Sequence, residues 1–171
     1  MHEKVSVNLG NLLLSLSDAL DLTSPSLAAH QQRTAFIGWE ICKVAGVSVQ
    51  DTQELFAAAL LHDIGALTSE EKIMLHDNEV VNPKKHCVFG ELIFEGVPAI
   101  TKSAPIVMHH HRKWEDWDEP IDNPVVLKSQ ILALSDVLER SLNRNKYILH
   151  QSDELISSID ALSGTTFHHR V

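Results

Sequence analysis

Cysteine is scarce in this sequence: Cys42 and Cys87 are the only two in 171 residues. Two cysteines this far apart do not indicate a disulfide framework, and they favour a reducing compartment such as the cytoplasm. Long apolar runs are missing as well, since none approaches the roughly 18 residues of a membrane span, and the N-terminus has no signal-peptide pattern. We therefore expect a cytoplasmic protein without a membrane partner.

Positive charge is in short supply, because 14 Lys and Arg stand against 23 Asp and Glu and give a net charge of −9. The phosphate backbone rewards a basic surface, so the composition argues against a partner that is a nucleic acid polymer. A small anionic ligand would have to be attracted locally, by metal ions or by a few placed cations. The hydrophobic share of 44% is that of one globular domain with a proper core.

Strand-like alternation, repeats and low-complexity tracts are also absent, and the apolar spacing predicts an all-α helical bundle. Ser24 and Pro25 form a helix start signal, Thr68 and Glu71 a capping box, and Ser152 an N-cap. Pro105 is expected to end, kink or shorten its helix. The predicted helices cover approximately residues 5–21, 26–45, 51–61, 82–95, 98–111, 124–143 and 152–164, and a polar loop is predicted over 113–123.

Histidine, by contrast, is abundant, with 11 in the chain. A two-metal hydrolase needs several neutral imidazoles, a carboxylate that bridges both ions and a hydroxide between them, and its ligands must come from several helices. The chain offers such residues on five segments: His30, His62 with Asp63, His86, His109 to His111, and Asp136.

The pair His62-Asp63 is weak on its own, since chance supplies roughly one His-Asp pair in a chain of this composition. A second pair, His76-Asp77, is expected at the surface. The first pair directly follows the apolar run 55–61, which predicts a buried helix and favours metal ligation there. The alternative is a histidine that merely complements a helix dipole. The remaining histidines, His2, His150, His168 and His169, are expected to be exposed or terminal.

The other candidate ligands each have an alternative. Asp136 lies in an apolar helix, where a lone carboxylate is costly unless it binds metal or pairs with Arg140 one turn on. His30 could be a satisfied core histidine, His86 a residue of a surface helix, and residues 109–111 a solvated helix end. We interpret Cys42 as a small buried apolar residue. Cys87 neighbours a predicted ligand, but nothing in the sequence suggests a nucleophile.

Taken in order, these motifs resemble the HD superfamily, and specifically its HD-GYP branch. They are His30-x-x-Arg33, the stretch Ala59 to Gly65 with its His-Asp-Ile-Gly, His86-x-x-x-Gly90, His110-His111 and Ser135-Asp136-Val137. The tail, with Tyr147, Ser163-Gly164 and Phe167, resembles the closing segment of that branch. We therefore expect an N-terminal helix and lead-in over 1–25 and an HD/HD-GYP-like domain over 26–171, in a native chain that continues beyond Val171.

The resemblance implies an HD-domain helical bundle with a central metal site that hydrolyses cyclic di-GMP by means of a bridging hydroxide. Two divalent ions are implied, with iron or manganese favoured and zinc possible, since the glutamate that adds a third ion in some members would fall near Ser26. His62 and Asp63 would form the catalytic centre, with Asp63 bridging. The implied metal ligands are His30, His62, Asp63, His86, His110, His111 and Asp136.

Two positions depart from the family pattern. Ala66 replaces a lysine that faces substrate phosphate, and Asp118-Glu119 replaces the Gly-Tyr pair that names the branch, although Trp114 and Pro120 are retained. The cations expected near a substrate phosphate are Arg112, Lys113, Arg144 and Lys146, with ordinary solvated surface as the alternative. Trp114 and Trp117 would either stack on a purine or serve the core or an interface.

These departures leave a second functional class open. The first expectation is an enzyme, a phosphohydrolase for a small nucleotide. The second is a catalytically weak or inactive HD-type signalling module that binds metal or a nucleotide, as a homodimer or with a fused signalling domain. A purely structural helical domain is the third and weakest, because every ligand position is retained.

Overall fold

The computed structural model of the chain describes residues 6–22, 24–76 and 84–171. The α-helices in those residues are α1 Leu9–Asp21, α2 His30–Ala45, α3 Val49–Leu60, α4 Ser69–His76, α5 Lys84–Glu95, α6 Ala104–His109, α7 Pro124–Ser141 and α8 Ser152–Asp160. Short 3-10 turns occupy Pro25–Leu27, Thr101–Ser103, Trp114–Asp116 and Ile148–His150. The β-type pairing in the described part is one isolated bridge, between Ser163 and Phe167. The predicted all-α fold class is confirmed.

Helix α3 lies at the centre of the bundle. Its second half is apolar on nearly every side, so it is buried between α2, α6 and α7. Leu55 and Leu60 on α3 share one hydrophobic core with Ile131 and Leu132 on α7, and all four side chains are at most 1% exposed. Burying a side chain of this size contributes about 1.5–3 kcal/mol, so this core fixes the directions in which α3 and α7 leave it.

A buried cluster of charged side chains connects α3 and α7 near their N-terminal ends. The Lys128 ammonium on α7 is within 2.8 Å of Asp51 and 2.5 Å of Glu54, both on α3. A lysine that is only 4% exposed needs a carboxylate partner, because it would otherwise be an uncompensated buried charge, and here it has two. The cluster therefore sets the register between the two helices.

Several helix ends agree with the sequence signals. Gly46 ends α2 in the left-handed conformation, with φ 66°. The Asn123 side chain accepts the N–H of Val125 at 2.9 Å and caps α7. The capping box is confirmed, since Glu71 N–H donates to Thr68 Oγ1 at 3.1 Å and Thr68 N–H donates to Glu71 at 3.4 Å.

Other predicted boundaries were wrong. Ser24 and Pro25 begin only a 3-10 turn, and α2 starts at His30, because Ala29 adopts a left-handed conformation with φ 57° and interrupts the helix. Helix α3 begins at Val49, two residues before the predicted start, because the Ser48 side chain caps it. Ser152 is the first residue of α8 and donates its hydroxyl to the Leu149 carbonyl, so it is not the N-cap. Helix α8 also ends at Asp160, before Gly164.

The helix predicted over 98–111 is shortened, as its proline suggested. Pro105 lies in the first turn of α6, where its missing N–H costs nothing, and a 3-10 turn precedes the helix. His168 was expected to be exposed or terminal, and the first of these is wrong: its side chain is 8% exposed and packs edge-on against Trp114 at 4.4 Å. His150 and His169 are exposed as predicted. The calls on His2, Asp77 and the start signal Asn82-Pro83 lie outside the described residues.

In the part of the chain that the structure describes, none of the helices combines the length and apolar character needed to cross a membrane.

Candidate metal centre

The predicted ligand segments meet at one end of the bundle. His62 and Asp63 form the turn that follows α3, while His30 is the first residue of α2. Asp136 comes from the middle of α7 and is 3% exposed. The other side of the site is supplied by His86 in the first turn of α5 and by His110 and His111 directly after α6. All seven predicted ligands are brought into one cluster.

Gly65 explains why the turn after α3 can approach α5 so closely. A Cβ atom added at Gly65 would lie 1.9 Å from the backbone oxygen of His86 and 2.5 Å from the backbone nitrogen of Gly90. Only glycine permits this contact. The turn that carries Asp63 is thereby held directly against the helix turn that carries His86.

The Asp63 carboxylate lies between two sets of imidazoles. Its Oδ2 atom is 3.2 Å from His62 Nε2 and 3.8 Å from His30 Nε2, while its Oδ1 atom is 3.6 Å from His86 Nε2. The Asp136 carboxylate lies beside the imidazoles of His30 and His62, with its Oδ1 atom 3.4 Å from His30 Nε2 and 3.7 Å from His62 Nε2. We call His30, His62 and Asp136 the His30 half, and His86, His110 and His111 the His86 half.

Three of the imidazoles are oriented by a bond at the outer nitrogen. His62 Nδ1 donates to the Ala59 carbonyl at 3.0 Å and His110 Nδ1 to the Val107 carbonyl at 2.6 Å. His30 Nδ1 donates to the Glu139 carboxylate. Since each Nδ1 donates its hydrogen outwards, the Nε2 of each ring faces the interior of the site, where the neutral form of the ring presents a lone pair.

The inner nitrogens of the imidazoles converge on the interior of the site. The Nε2 atom of His111 is buried and has no hydrogen-bond partner among the described residues. The Nε2 atom of His62 is buried as well and faces the carboxylates of Asp63 and Asp136 at 3.2 and 3.7 Å. His86 Nε2 and His110 Nε2 face each other at 3.3 Å. Two nitrogen ligands on one tetrahedral ion lie about 3.4 Å apart, so the residues fit a metal centre.

The His30 half is strongly charged. Burial alone would lower the pKa of His62, but the negative charges of Asp63 and Asp136 raise it well above its usual value. Burial would raise the pKa of both carboxyls, and the imidazole of His62 holds them well below their usual range instead. A divalent ion binding here would therefore displace a proton from His62.

The His86 half has the opposite character. Burial lowers the pKa of His86, lowers that of His110 well below its usual value and brings that of His111 to about 4. These three imidazoles are consequently neutral at pH 7, which is the form that binds metal. The Asp63 carboxylate thus lies between two halves of opposite electrostatic character, one that favours charged groups and one that favours neutral imidazoles.

Sequence reasoning missed Glu139, which lies three residues after Asp136 on α7. Its carboxylate accepts from His30 Nδ1, from Arg33 Nε at 2.6 Å and from Arg144 Nη2 at 2.7 Å. Burial would raise the pKa of Glu139, but these partners lower it to about 2. The available signal was its i+3 spacing from a predicted ligand in an apolar helix.

Gln31 and Asp21 also contribute hydrogen bonds near the site, and the sequence analysis identified neither of them. Gln31 Nε2 donates to Asp63 Oδ2 at 3.2 Å, next to the His62 contact. Asp21, at the end of α1, accepts the backbone N–H of Gln31 at 3.2 Å, and burial raises the pKa of Asp21 to about 6. The N-terminal helix therefore contributes to the surroundings of the cluster.

Cys87 is the least expected neighbour. Its Sγ atom is 3.7 Å from His86 Nε2 and 3.8 Å from His110 Nδ1. Burial raises the pKa of the Cys87 thiol to about 12, so it is not a free thiolate nucleophile at neutral pH. This agrees with the sequence, which gave no indication of a nucleophile.

The mouth of the cluster is narrow. Arg140 pairs with Asp136 Oδ2 at 2.8 Å and donates to the Leu75 carbonyl at 3.1 Å, so the ion pair considered as an alternative for Asp136 exists together with its place in the cluster. The cavity at this mouth has a volume of only about 10 Å³ and is lined by His30, Asp63, Leu75, His111, Asp136 and Arg140.

The four predicted substrate cations are distributed unequally. Arg112 and Lys113 line a cavity of about 140 Å³ together with His110 and His111. Arg144 reaches the site through Glu139. Lys146 instead lines a separate cavity of about 220 Å³, together with α8 and the segment before it, and none of the predicted ligands lines that cavity.

The structure shows what surrounds Ala66 and the loop that departs from the family pattern. Ala66, where the family has lysine, is 1% exposed, so this position faces packed protein. In the divergent loop the Arg112 guanidinium lies 4.2 Å from the centre of the Trp117 ring and donates to the Asp116 carbonyl. Trp114 packs on the tail, with its backbone N–H bonded to the Thr166 carbonyl at 2.9 Å. Both tryptophans thus have structural contacts.

Parts of the chain are similar in sequence to three curated phosphodiesterases. A 3′3′-cGAMP-specific phosphodiesterase of Vibrio cholerae is 25% identical over 112 residues, covering 65% of this chain and 26% of that protein. A cyclic di-GMP phosphodiesterase of Thermotoga maritima is 25% identical over 154 residues, covering 83% and 42%. A cyclic di-GMP phosphodiesterase response regulator of Xanthomonas campestris is 22% identical over 145 residues, covering 79% and 38%.

The chain thus spans less than half the length of these curated relatives, and no solved structure matches it. The family model of the HD domain matches residues 27–141, which run from just before α2 to the end of α7 and include all seven predicted ligands. With its histidines and aspartates gathered at one end of a helical bundle, the chain belongs to the HD domain family.

Proposed function

We propose that this chain is a metal-dependent phosphodiesterase that hydrolyses a cyclic dinucleotide of the cyclic di-GMP type and acts in the cytoplasm. The observation that carries the proposal is the position of Asp63, with one carboxylate oxygen towards the His30 half and the other towards the His86 half. A carboxylate placed in this way can be shared by two ions. The curated relatives support the substrate class through the activities in their names.

Each half would hold one divalent ion, iron or manganese by family resemblance, with zinc as the alternative. Bound ions would supply an activated water and offset charge on the phosphoryl group. The chain's own residues orient the ligands, since Ala59, Val107 and Glu139 fix three rings from outside. Arg33 and Arg144 pair with Glu139 and Arg140 pairs with Asp136, so the number of arginines beside the cluster equals that of the carboxylates Asp63, Asp136 and Glu139.

This local balance explains how an acidic protein can attract an anion. With the three arginines set against the three carboxylates, two divalent ions would make the site positive although the whole chain carries −9. Arg112 and Lys113, which line the cavity beside His110 and His111, are the cations we place nearest to a substrate phosphate. Arg144 lies one step further out, on Glu139, and Lys146 remains the most distant of the four.

The test is a metal count followed by a turnover assay. Protein purified without chelators should contain about two first-row metal ions per chain and should linearise cyclic di-GMP or 3′,3′-cGAMP. Asp63→Asn, which keeps the side-chain volume, should abolish turnover and lower the metal count. Wild-type protein free of bound metal under every loading condition would rule out the metal site and leave only a structural helical domain.

A second function is favoured by the narrow mouth and by Ala66. Sites for small molecules usually enclose roughly 300–1,000 Å³, whereas the cavity at the mouth holds about 10 Å³ and the one beside His110 about 140 Å³. Alanine at the lysine position is buried. In this alternative the domain binds metal or a nucleotide and signals to a homodimer partner or a fused domain. Two bound metals together with nucleotide binding but no turnover would identify this module.

A further inference from the structure

The two cysteines of the chain lie in different kinds of environment. Cys42, fully buried on α2, belongs to the hydrophobic core, together with Leu55 and Ala58. Cys87 is 2% exposed but is not a member of either hydrophobic cluster of the described residues. Its neighbours are the imidazoles of the His86 half. A buried cysteine surrounded by metal-ligand side chains has a chemical role open to it that a core cysteine does not.

The distances around Cys87 match those of ligands on a common ion. A nitrogen and a sulfur bound to one tetrahedral zinc ion lie about 3.6 Å apart. Cys87 Sγ is 3.7 Å from His86 Nε2, and that nitrogen is 3.3 Å from His110 Nε2. One ligand atom from each of His86, Cys87, His110 and His111 can be chosen so that all four lie within 4.8 Å of one another.

A second observation points into the same space. The Nε2 atom of His111 is buried and has no hydrogen-bond partner among the described residues. The His111 ring lies 5.0 Å from the His86 ring and 4.0 Å from the His110 ring. An unsatisfied nitrogen beside two imidazoles and a thiol is what a metal ligand set presents before it closes on its ion.

We propose that Cys87 is a metal ligand of the His86 half and adds one sulfur to its three imidazoles and to the Asp63 oxygen that faces them, so that this half binds zinc in preference to manganese. The inference rests on the metal site of the proposed function and deepens it. On binding, the Cys87 S–H proton passes to solvent and the sulfur lone pair forms the bond to the ion, so no oxidant or reductant is required. Thiolate favours zinc over the harder manganese, so the two halves would differ in metal preference.

Cobalt(II) substitution tests this directly, because a cobalt–thiolate bond gives intense near-ultraviolet charge-transfer absorption in addition to the visible bands of the ion. We expect this absorption in the wild-type protein and in Cys42→Ala, the matched control from the hydrophobic core. It should disappear in Cys87→Ala. The ratio of zinc to manganese affinity of Cys87→Ala should fall by at least the roughly 10–100-fold typical of losing a supporting partner.

The outcomes separate this inference from the proposed function. Cobalt bound with visible bands but without charge transfer in the wild type overturns the Cys87 ligand and leaves the metal site intact. Charge transfer that persists in Cys87→Ala overturns it as well. Failure of any metal to bind overturns both. If Cys87→Ala does not fold, X-ray absorption of the zinc-loaded wild type decides: a sulfur neighbour at about 2.3 Å supports the proposal, and only nitrogen and oxygen neighbours contradict it.

Discussion

The carboxylate of Glu139 accepts the Nδ1–H of His30, across the interface between α7 and α2. This bond selects the tautomer in which His30 Nε2 is free to bind metal, and it sets the plane of the ring. Arg33 and Arg144 hold Glu139 in turn from the opposite side, at 2.6 and 2.7 Å. Glu139 is thus a positioning residue for His30, although it is itself no ligand of the cluster.

Replacing Glu139 by glutamine keeps the shape and removes the charge. We expect Glu139→Gln to weaken metal binding by about 10–100-fold, because the His30 ring loses its anionic partner and the two arginines lose their counter-charge. Competition with a chromophoric chelator measures this affinity. Glu154→Gln on the exposed face of α8 is the control and should leave it unchanged. Equal affinities for Glu139→Gln and wild type would show that His30 needs no such support.

Site residues could be predicted from the sequence where the residues next to them form a recognisable pattern. Asp63 and Asp136 stand out because a carboxylate next to an apolar helical run needs a reason to be buried. Local sequence signals also predicted the C-terminus of α2 at Gly46 and the N-terminus of α7 at Asn123.

Glu139 and Cys87 could not be assigned a role in the same way. Their roles depend on contacts between helices far apart in sequence: 109 residues separate His30 from Glu139. The start of α2 was misplaced for a similar reason. Ala29 adopts the left-handed conformation, which is strained for alanine and which no local propensity predicts.

Gly65 provides a test of the contact between the turn after α3 and α5. In Gly65→Ala the new Cβ would lie 1.9 Å from the His86 backbone oxygen, so α5 must move away from Asp63. We expect the free energy of unfolding to fall by about 3 kcal/mol or more and the metal count to fall from about two to about one, with the His86 half lost. Urea denaturation and elemental analysis measure the two effects.

The control for this substitution is Gly96→Ala, just after α5. An added Cβ there meets the Ile93 carbonyl oxygen at 3.4 Å, which requires little adjustment. This variant should retain both metals and nearly the wild-type stability. A Gly65→Ala protein with two metals would mean that α5 can shift without separating His86 from Asp63.

Asp21 gives a prediction about pH. Burial raises its pKa from 3.8 to about 6, so the folded protein keeps a proton that the unfolded chain loses between these values. Stability contributed by this group is therefore full below about pH 4, falls as the pH rises to about 6, and stays lost above it, by about 2–3 kcal/mol. Asp21→Asn should remove that loss.

The measurement is the difference in urea stability between Asp21→Asn and wild type, from pH 4 to pH 8 in the presence of a chelator. We expect no gain near pH 4 and a gain of about 2–3 kcal/mol at pH 7–8. Asp18→Asn, on the exposed side of the same helix, should show no comparable rise. A gain from Asp21→Asn that is constant with pH would attribute the effect to packing instead of ionisation.

The cations near the site are predicted to differ in their effect on substrate binding. Arg112 and Lys113 share a cavity with His110 and His111, whereas Lys146 lines another cavity next to α8. We expect Arg112→Ala and Lys113→Ala to raise KM for a cyclic dinucleotide roughly tenfold each, the effect of losing one charge-assisted contact of about 1.5 kcal/mol. Lys146→Ala should change KM little, while metal content stays the same in all three. A larger effect at Lys146 than at Arg112 would place the substrate on the α8 side and would remove the cavity beside His110 from the binding site.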